Sequence, residues 1–272
     1  MFASKLTIAF STAVCFAQPK SIDVQDLIRK SVAATEADWA QAPNYNFIER
    51  DIESRKGGPK KIKTYQVMMI DGSPYNKLIA VNDREITGAD ATAAEQELQA
   101  TIQQRKIESA SERSRRIGRY QKEREHDHLM MRQMIEAFDY KLVGETRLDG
   151  RDVYQLAATP KPGWKPPNHD ARVLTGMKGT LWIDKETCQW VKVEAEVIHP
   201  VLFFGFLAKV GPGTRFELEQ APLEGGLWMP KHFSTQVHAM ALGMINENST
   251  DDETYKDYRA SADVTRPAVV KR

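Results

Sequence analysis

The sequence predicts an α+β fold: a large curved antiparallel β-sheet, an incomplete barrel, covering an N-terminal helix and carrying a long helical insertion. Three observations predict it. Strand-like stretches recur every 10–15 residues or so between Asn44 and Tyr258, enough for about ten strands. One amphipathic segment precedes them. One long segment without proline, dominated by Ala, Glu, Gln, Arg and Lys, interrupts them between Asp90 and Ala137. No internal repeat or domain boundary is visible, so residues 18–272 read as a single domain.

Composition bounds the function before any motif does. The chain has 272 residues, 38 Lys+Arg against 37 Asp+Glu, and 41% hydrophobic residues. That length buries a real core. A charged fraction of 28% near neutrality excludes a polybasic nucleic-acid binder and an acidic disordered tail as readings of the whole chain. The first seventeen residues set the compartment. Lys5 precedes the apolar run Leu6 to Ala17, which is too short to span a bilayer as a helix, and Cys15-Phe16-Ala17 puts small residues at the −3 and −1 places. This is the pattern of a secretory signal peptide, residues 1–17, and of a periplasmic mature protein. Acylation of Cys15 is the alternative, against which Val14 is a poor residue to precede it. Cleavage takes Cys15 away and leaves Cys188 as the one cysteine, so no internal disulfide is expected and the core must carry stability.

Along the mature chain, Asp23 is a plausible N-cap for a helix over Val24–Ala40, with Val24, Leu27, Ile28, Val32 and Trp39 at three- to four-residue spacings. Pro43 ends it. Strands over Asn44–Ile52, Lys63–Ile70 and Tyr75–Val81 form a meander through turns at Gly57-Gly58-Pro59 and Asp71-Gly72-Ser73-Pro74. The insertion from 90 to 137 reads as a long helix or broken hairpin. Its middle carries only Ile107, Ile117 and Tyr120 as sizeable apolar residues, while its end docks through Leu129, Met130, Met134 and Phe138. Asp149-Gly150 then joins strands Tyr140–Arg147 and Asp152–Thr159. Five more follow a proline-rich loop: Lys178–Asp184, Gln189–Ile198, Thr214–Ala221, Met229–Met240 and Ile245–Tyr258.

Chemistry is sparse. His126 and His128 are two residues apart on the insertion and point about 200° away from each other, so they cannot share a metal. His169, His199, His232 and His238 lack a nucleophile in a recognisable elbow, and no phosphate-binding glycine motif is present. Neither a catalytic residue, a metal nor a cofactor is expected. Two stretches remain. Between Arg105 and Glu125 stand eight basic and four acidic residues, with Arg113, Arg115, Arg116 and Arg119 as candidates for an anionic membrane surface or a protein partner. A solvated face laced with i,i+4 pairs is the plain alternative. The run Val201-Leu202-Phe203-Phe204-Gly205-Phe206-Leu207 has no charge and no alternation. It is either buried on both faces or an apolar loop lining a cavity. Leu202, Phe203, Phe204, Phe206 and Leu207, with Trp182 and Met240, are the candidate lining, because broad aromatic and flexible Met surfaces suit varied alkyl chains.

The order of signal peptide, helix, Tyr45-Asn46-Phe47-Ile48-Glu49-Arg50-Asp51 strand, charged insertion and Gly179-Thr180-Leu181-Trp182-Ile183-Asp184 resembles the outer-membrane lipoprotein-sorting (LolA/LolB-like) fold family, as does Leu227-Trp228-Met229-Pro230-Lys231. The resemblance implies an unclosed barrel whose helices cover a hydrophobic cavity for lipid acyl chains. The insertion is longer than that family's lid. The expected function is therefore an exported binding protein or carrier for a lipid or lipoprotein acyl chain, without catalysis. The alternative is an envelope stress sensor or scaffold that engages a protein through the long charged helix.

Overall fold

The computed structural model describes residues 22–203, 208–241 and 244–261. The leader with Cys15, and Phe204, Phe206 and Leu207, lie outside them. Helix α1 (Val24–Trp39) starts where the sequence places it, with the Asp23 carboxylate accepting from the Asp26 amide at 3.0 Å. It is followed by β1 (Tyr45–Arg55), β2 (Lys61–Ile70), β3 (Ser73–Val81) and the short β4 (Arg84–Glu85). The insertion is two helices, α2 (Gly88–Ile107) and α3 (Ala110–Ala137). The sheet resumes with β5 (Phe138–Leu148), β6 (Arg151–Pro160), β7 (Met177–Asp184) and β8 (Trp190–Val197). Two short strands, β9 (Val201–Phe203) and β10 (Ala208–Val210), precede β11 (Arg215–Pro222), β12 (Trp228–Ala241) and β13 (Met244–Ala260). The three shortest strands escape a reading based on alternation because two or three residues are too few to alternate.

The strands pair antiparallel in the order β4-β3-β2-β1-β13-β12-β11-β8-β7-β6-β5, with β10 and β9 branching from β12. First and last strands meet in the middle, and the ends at β4 and β5 leave the barrel open. Two turns show why the ladder keeps register. Asp71-Gly72 and Asp149-Gly150 both have positive φ at both residues (47° and 85°, 49° and 79°), the backbone that two-residue hairpins require.

Strands β5, β6, β7 and β8 bury one side against the helices. That inner face carries Phe138, Leu156, Ala158, Leu181, Ile183, Trp190 and Val197, packed on Leu27, Ile28 and Val32 of α1. On the outer face a smaller cluster forms from Val153, Val191 and Trp228, with Leu148 and Trp182 against it. A polar stripe then fixes where α1 sits. Trp190 Nε1 donates to Ser31 Oγ (3.1 Å), Thr35 Oγ1 to Gln189 Oε1 (3.2 Å), and Asp38 accepts from Gln189 Nε2 and the Trp228 amide, both at 2.8 Å.

The insertion breaks at Glu108-Ser109. Ser109 caps α3 through a capping box with Glu112, and nothing in the apolar pattern marks that break. Arginines dock the break onto the β2–β3 turn: Arg105 donates to the carbonyls of Ile70 (2.7 Å) and Ser73 (2.9 Å), and Arg116 to Ser73 Oγ (2.7 Å). Helix α2 buries only Leu98. The thinly apolar middle is solvated, as its composition dictates, and α3 reaches the core only through its Met-rich end, where Met131 is buried.

The Leu181-Trp182-Ile183-Asp184 motif acquires a physical reason. Asp184 is only 2% exposed and accepts from the Thr187 amide and hydroxyl (both 2.8 Å), the Glu186 amide (3.1 Å) and Arg151 Nε (2.6 Å), closing the β7–β8 turn. Burial works against its charge, but these donors outweigh it and hold its pKa below the usual carboxylate value. Asp184→Ala would orphan these donors, and we expect a loss of about 2–4 kcal/mol in urea unfolding. A loss under about 0.5 kcal/mol would refute this account of the turn.

A second prediction comes from the inner face of β1 and β13. Asp51 lies opposite Glu253, and Glu49 opposite Tyr255. Desolvation first, then the charges of Asp51 and Glu253, push Glu49 up to about 8. Its unfolded value is near 4.5, so the folded chain holds a proton that the unfolded chain releases. Stability from this group is therefore complete below about pH 4.5 and drains away as pH rises to about 8. Glu49→Gln mimics the protonated form. It should raise the melting temperature above pH 8 by about 3–6 °C, for roughly 1–2 kcal/mol after solvent screening, and leave it unchanged in acid. Parallel pH–melting curves for the two proteins would locate the dependence elsewhere.

Candidate functional site

Between the Met-rich end of α3 and the inner face of β6, β7, β8, β11 and β12 lies a cavity of about 370 Å³. Each wall follows from strand parity. From β7 come Met177, Gly179 and Leu181, from β8 Val193 and Ala195, from β11 Phe216 and Leu218, and from β12 Phe233. They lie across from one another in the ladder: Leu181 pairs Val193, Val193 pairs Leu218, and Leu218 pairs Phe233. The roof is His126, Met130 and Met134 of α3, at i, i+4 and i+8 on one side of the helix. The 3-10 segment Asp170–Gly176 adds Val173 and Leu174. Lys178, Glu194 and Glu217, which alternate with the wall residues along β7, β8 and β11, border the cavity as well. Both the volume and the apolar character suit a small apolar ligand.

The roof is latched to α1 by a compact set of contacts. His128 stacks on Trp39 at 4.7 Å between ring centres, and Arg124 donates to the Trp39 carbonyl at 2.6 Å. Arg132 Nε donates to Glu36 at 2.6 Å. Burial first, then the charge of Arg124, lowers the His128 pKa, so the stacked ring is neutral at pH 7. The two histidines of the insertion thus divide: His126 lines the cavity and His128 holds the latch.

The sequence-predicted lining residues fall into three groups. Trp182 is displaced from its expected place. It lies on the outer face against Val153, Val191 and Trp228, with the Lys192 ammonium 6.0 Å from its ring centre, because Leu181 beside it takes the inner position. Leu202 and Phe203 form β9, and Met240 pairs Lys209 of β10 at the end of β12. Phe204, Phe206 and Leu207 lie outside the described residues. Of the proposed basic surface, Arg116 is bound to Glu108 and to the β2–β3 turn, and Arg113 Nη2 lies 3.7 Å from Asp71. Arg115 and Arg119 instead line an open groove between α2 and α3, together with Lys122. Phe216, Leu218 and Phe233 were missed as lining. Alternation in β11 and β12 does mark one face as apolar, but only the ladder tells which neighbours that face meets.

Glu217, Glu219 and His232 are close enough to share an ion, but an ammonium already stands among them. Lys192 Nζ is 2.7 Å from Glu217 and 3.6 Å from Glu219, and Lys231 is 3.1 Å from Glu219. Burial opposes the Lys192 charge, yet its hydrogen bonds with Glu217 and Glu194 raise its pKa overall. The cluster reads as an ion-pair network on the outer face.

No protein-family model matches the chain, and no curated protein matches it in sequence. Among solved structures it is similar to a LolA superfamily protein from Nitrosomonas europaea, at 11% identity and a TM-score of 0.34, over 88% of this chain and 94% of that one. It is also similar to an outer membrane lipoprotein-sorting protein domain from Vibrio parahaemolyticus, at 10% identity and a TM-score of 0.36, over 88% and 95%. A third similarity is to the Pseudomonas aeruginosa MucA/MucB complex, at 12% identity and a TM-score of 0.25, over 89% and 100%.

Proposed function

We propose that this protein is an exported carrier that binds the alkyl chain of a lipid or of a lipoprotein in the cavity beneath α3. The observation that carries the reading is the cavity itself: about 370 Å³ between Met130 and Met134 of α3 and an apolar sheet face. Burying each CH₂ contributes about 0.8 kcal/mol before the costs of association, and no reacting group is needed. The leader-like pattern of residues 1–17 supports export of such a carrier to the periplasm, and no helix among the described residues is long and apolar enough to cross a membrane. The apolar run after Pro200 fits the mouth of this cavity. Val201 of β9, at the start of that run, packs against the 3-10 segment at Gly176, two residues from the lining Leu174.

A second reading, a scaffold engaging a protein through the charged insertion, draws on one observation: Ile107 at the end of α2 is 83% exposed. Native mass spectrometry of protein from its own envelope separates the two. Bound lipid supports the carrier, and a protein complex with an empty cavity supports the scaffold.

Two further measurements test the carrier. Across a series of fatty acids of increasing length, affinity should rise about fourfold per CH₂ and then level off when the cavity is full. Met134→Trp should fill the roof and lower affinity at least about tenfold with little change in melting. Length-independent binding, or a Met134→Trp protein that binds normally, would overturn the site. Phe204→Asp tests the mouth. It should abolish chain binding and spare the fold, whereas a collapsed melting temperature would identify a core residue bearing a buried charge.

A further inference from the structure

We infer that the ligand is an anionic amphiphile, its headgroup held by the basic half of α3 and its chain by the methionine half. The inference rests on the chain-binding reading of the cavity and specifies the chemical class that the site selects. Its basis is one face of one helix. Arg115, Arg119, Lys122, His126, Met130 and Met134 follow one another at steps of three or four residues, so they line a single side of α3. The first three line the open groove against α2, of about 930 Å³, and the last three line the apolar cavity. Lys122 and His126 are one turn apart, and Lys122 lies about 12 Å along the axis from Met130. That is the reach of a headgroup and the first part of its chain.

The charges on this face are available. Glu108 and Glu112 also line the groove, but Glu108 pairs with Arg116 and Glu112 is engaged by Ser109 in the capping box. Arg115, Arg119 and Lys122 make no ion pair among the described residues. Elsewhere the chain does place acids beside helical cations, as with Asp26 and Lys30 at 2.7 Å. Like charges at i,i+3 and i,i+4 destabilise a helix by about 0.2–0.5 kcal/mol per pair. Glu112, Glu123 and Glu125 stand at such spacings to these cations and offset part of that repulsion, but none forms an ion pair with them among the described residues, so an anion in the groove has cations to meet. A phosphate or carboxylate meets a guanidinium fork at Arg119 and a point charge at Lys122. An acidic protein segment could meet the same cations, but it would make no use of the face's continuation into Met130 and Met134. An amphiphile uses both halves.

The test compares lysophosphatidylglycerol with lysophosphatidylcholine of the same acyl chain, by titration calorimetry at low and high salt. The wild-type protein should bind the anionic lipid about tenfold more tightly at low salt, and the preference should shrink as salt rises. In Arg119→Gln/Lys122→Gln, whose melting should match the wild type because both residues are exposed, binding of the anionic lipid should fall to the level of the zwitterionic one. Equal binding of both lipids by the wild type overturns the inference, as does a preference that survives the double substitution. In either case the chain-binding reading stands. Binding of neither lipid by the wild type defeats the cavity reading and this inference together. A protein complex from the native envelope that the double substitution abolishes, with no discrimination between lipids, would assign these cations to a protein instead.

Discussion

Much of this structure depends on how α1 is seated. Its apolar stripe of Leu27, Ile28 and Val32 would tolerate sliding along an apolar sheet, because burial is not directional. The polar stripe does not tolerate it. Ser31, Thr35 and Asp38 recur at i, i+4 and i+7, and their bonds to Trp190, Gln189 and the Trp228 amide are made or lost together. Ser31 is fully buried and Thr35 is nearly so, and leaving such a group unsatisfied costs about 1–3 kcal/mol. A one-turn slip would orphan several at once. The seat of α1 then locates Trp39 and Glu36, which receive His128, Arg124 and Arg132, and so sets the height of α3 over the sheet.

That height explains why a cavity persists where a core would ordinarily close. At one end α1 fills the inner face with Leu27, Ile28 and Val32. Beyond its reach the cover is α3, pinned at three places: to the β2–β3 turn through Arg116, to Trp39 through Arg124, and to β5, which it enters directly at Phe138. A helix held at both ends cannot sag onto the sheet. The side chains left to bridge the gap are methionines, unbranched and adaptable, which tolerate an occupied or empty space better than β-branched residues would. Deleting volume from a packed core is costly because the surroundings relax poorly, and a roof held by its own latches makes that cost part of the fold.

The sequence made these features legible in unequal measure. Ten strands, α1 and the solvated insertion follow from local pattern, since alternation and helical spacing report directly on which side chains face the core. The break at Glu108-Ser109 does not, because it rests on a cap and on arginines reaching a turn more than thirty residues back in sequence. The candidate site divides along the same line. Met130 and Met134 are visible as a helical stripe, whereas Phe216, Leu218 and Phe233 become lining only when β8, β11 and β12 are placed side by side. Trp182 illustrates the hazard of reading residue type without parity. In a strand of period two, the large aromatic and the leucine before it point to opposite faces, and type alone cannot choose between them.

The inner face also has a direction. From β5 to β12 it is apolar, ending at Phe233, which lies opposite Glu253 in the ladder. The next strands replace hydrocarbon with acid: Glu253, Asp51 and Glu49 stand together, and Asp51 Oδ1 is buried without a hydrogen-bond partner among the described residues. Burial raises the pKa of all three, so Glu49 keeps its proton near neutrality and this wall carries less negative charge than its composition suggests. The inner face thus passes from hydrocarbon to acid beyond β12, while the basic stripe lies on α3 beside the groove against α2. In the carrier reading, the apolar walls would supply affinity without direction, and the cations of α3 would supply direction with little affinity of their own.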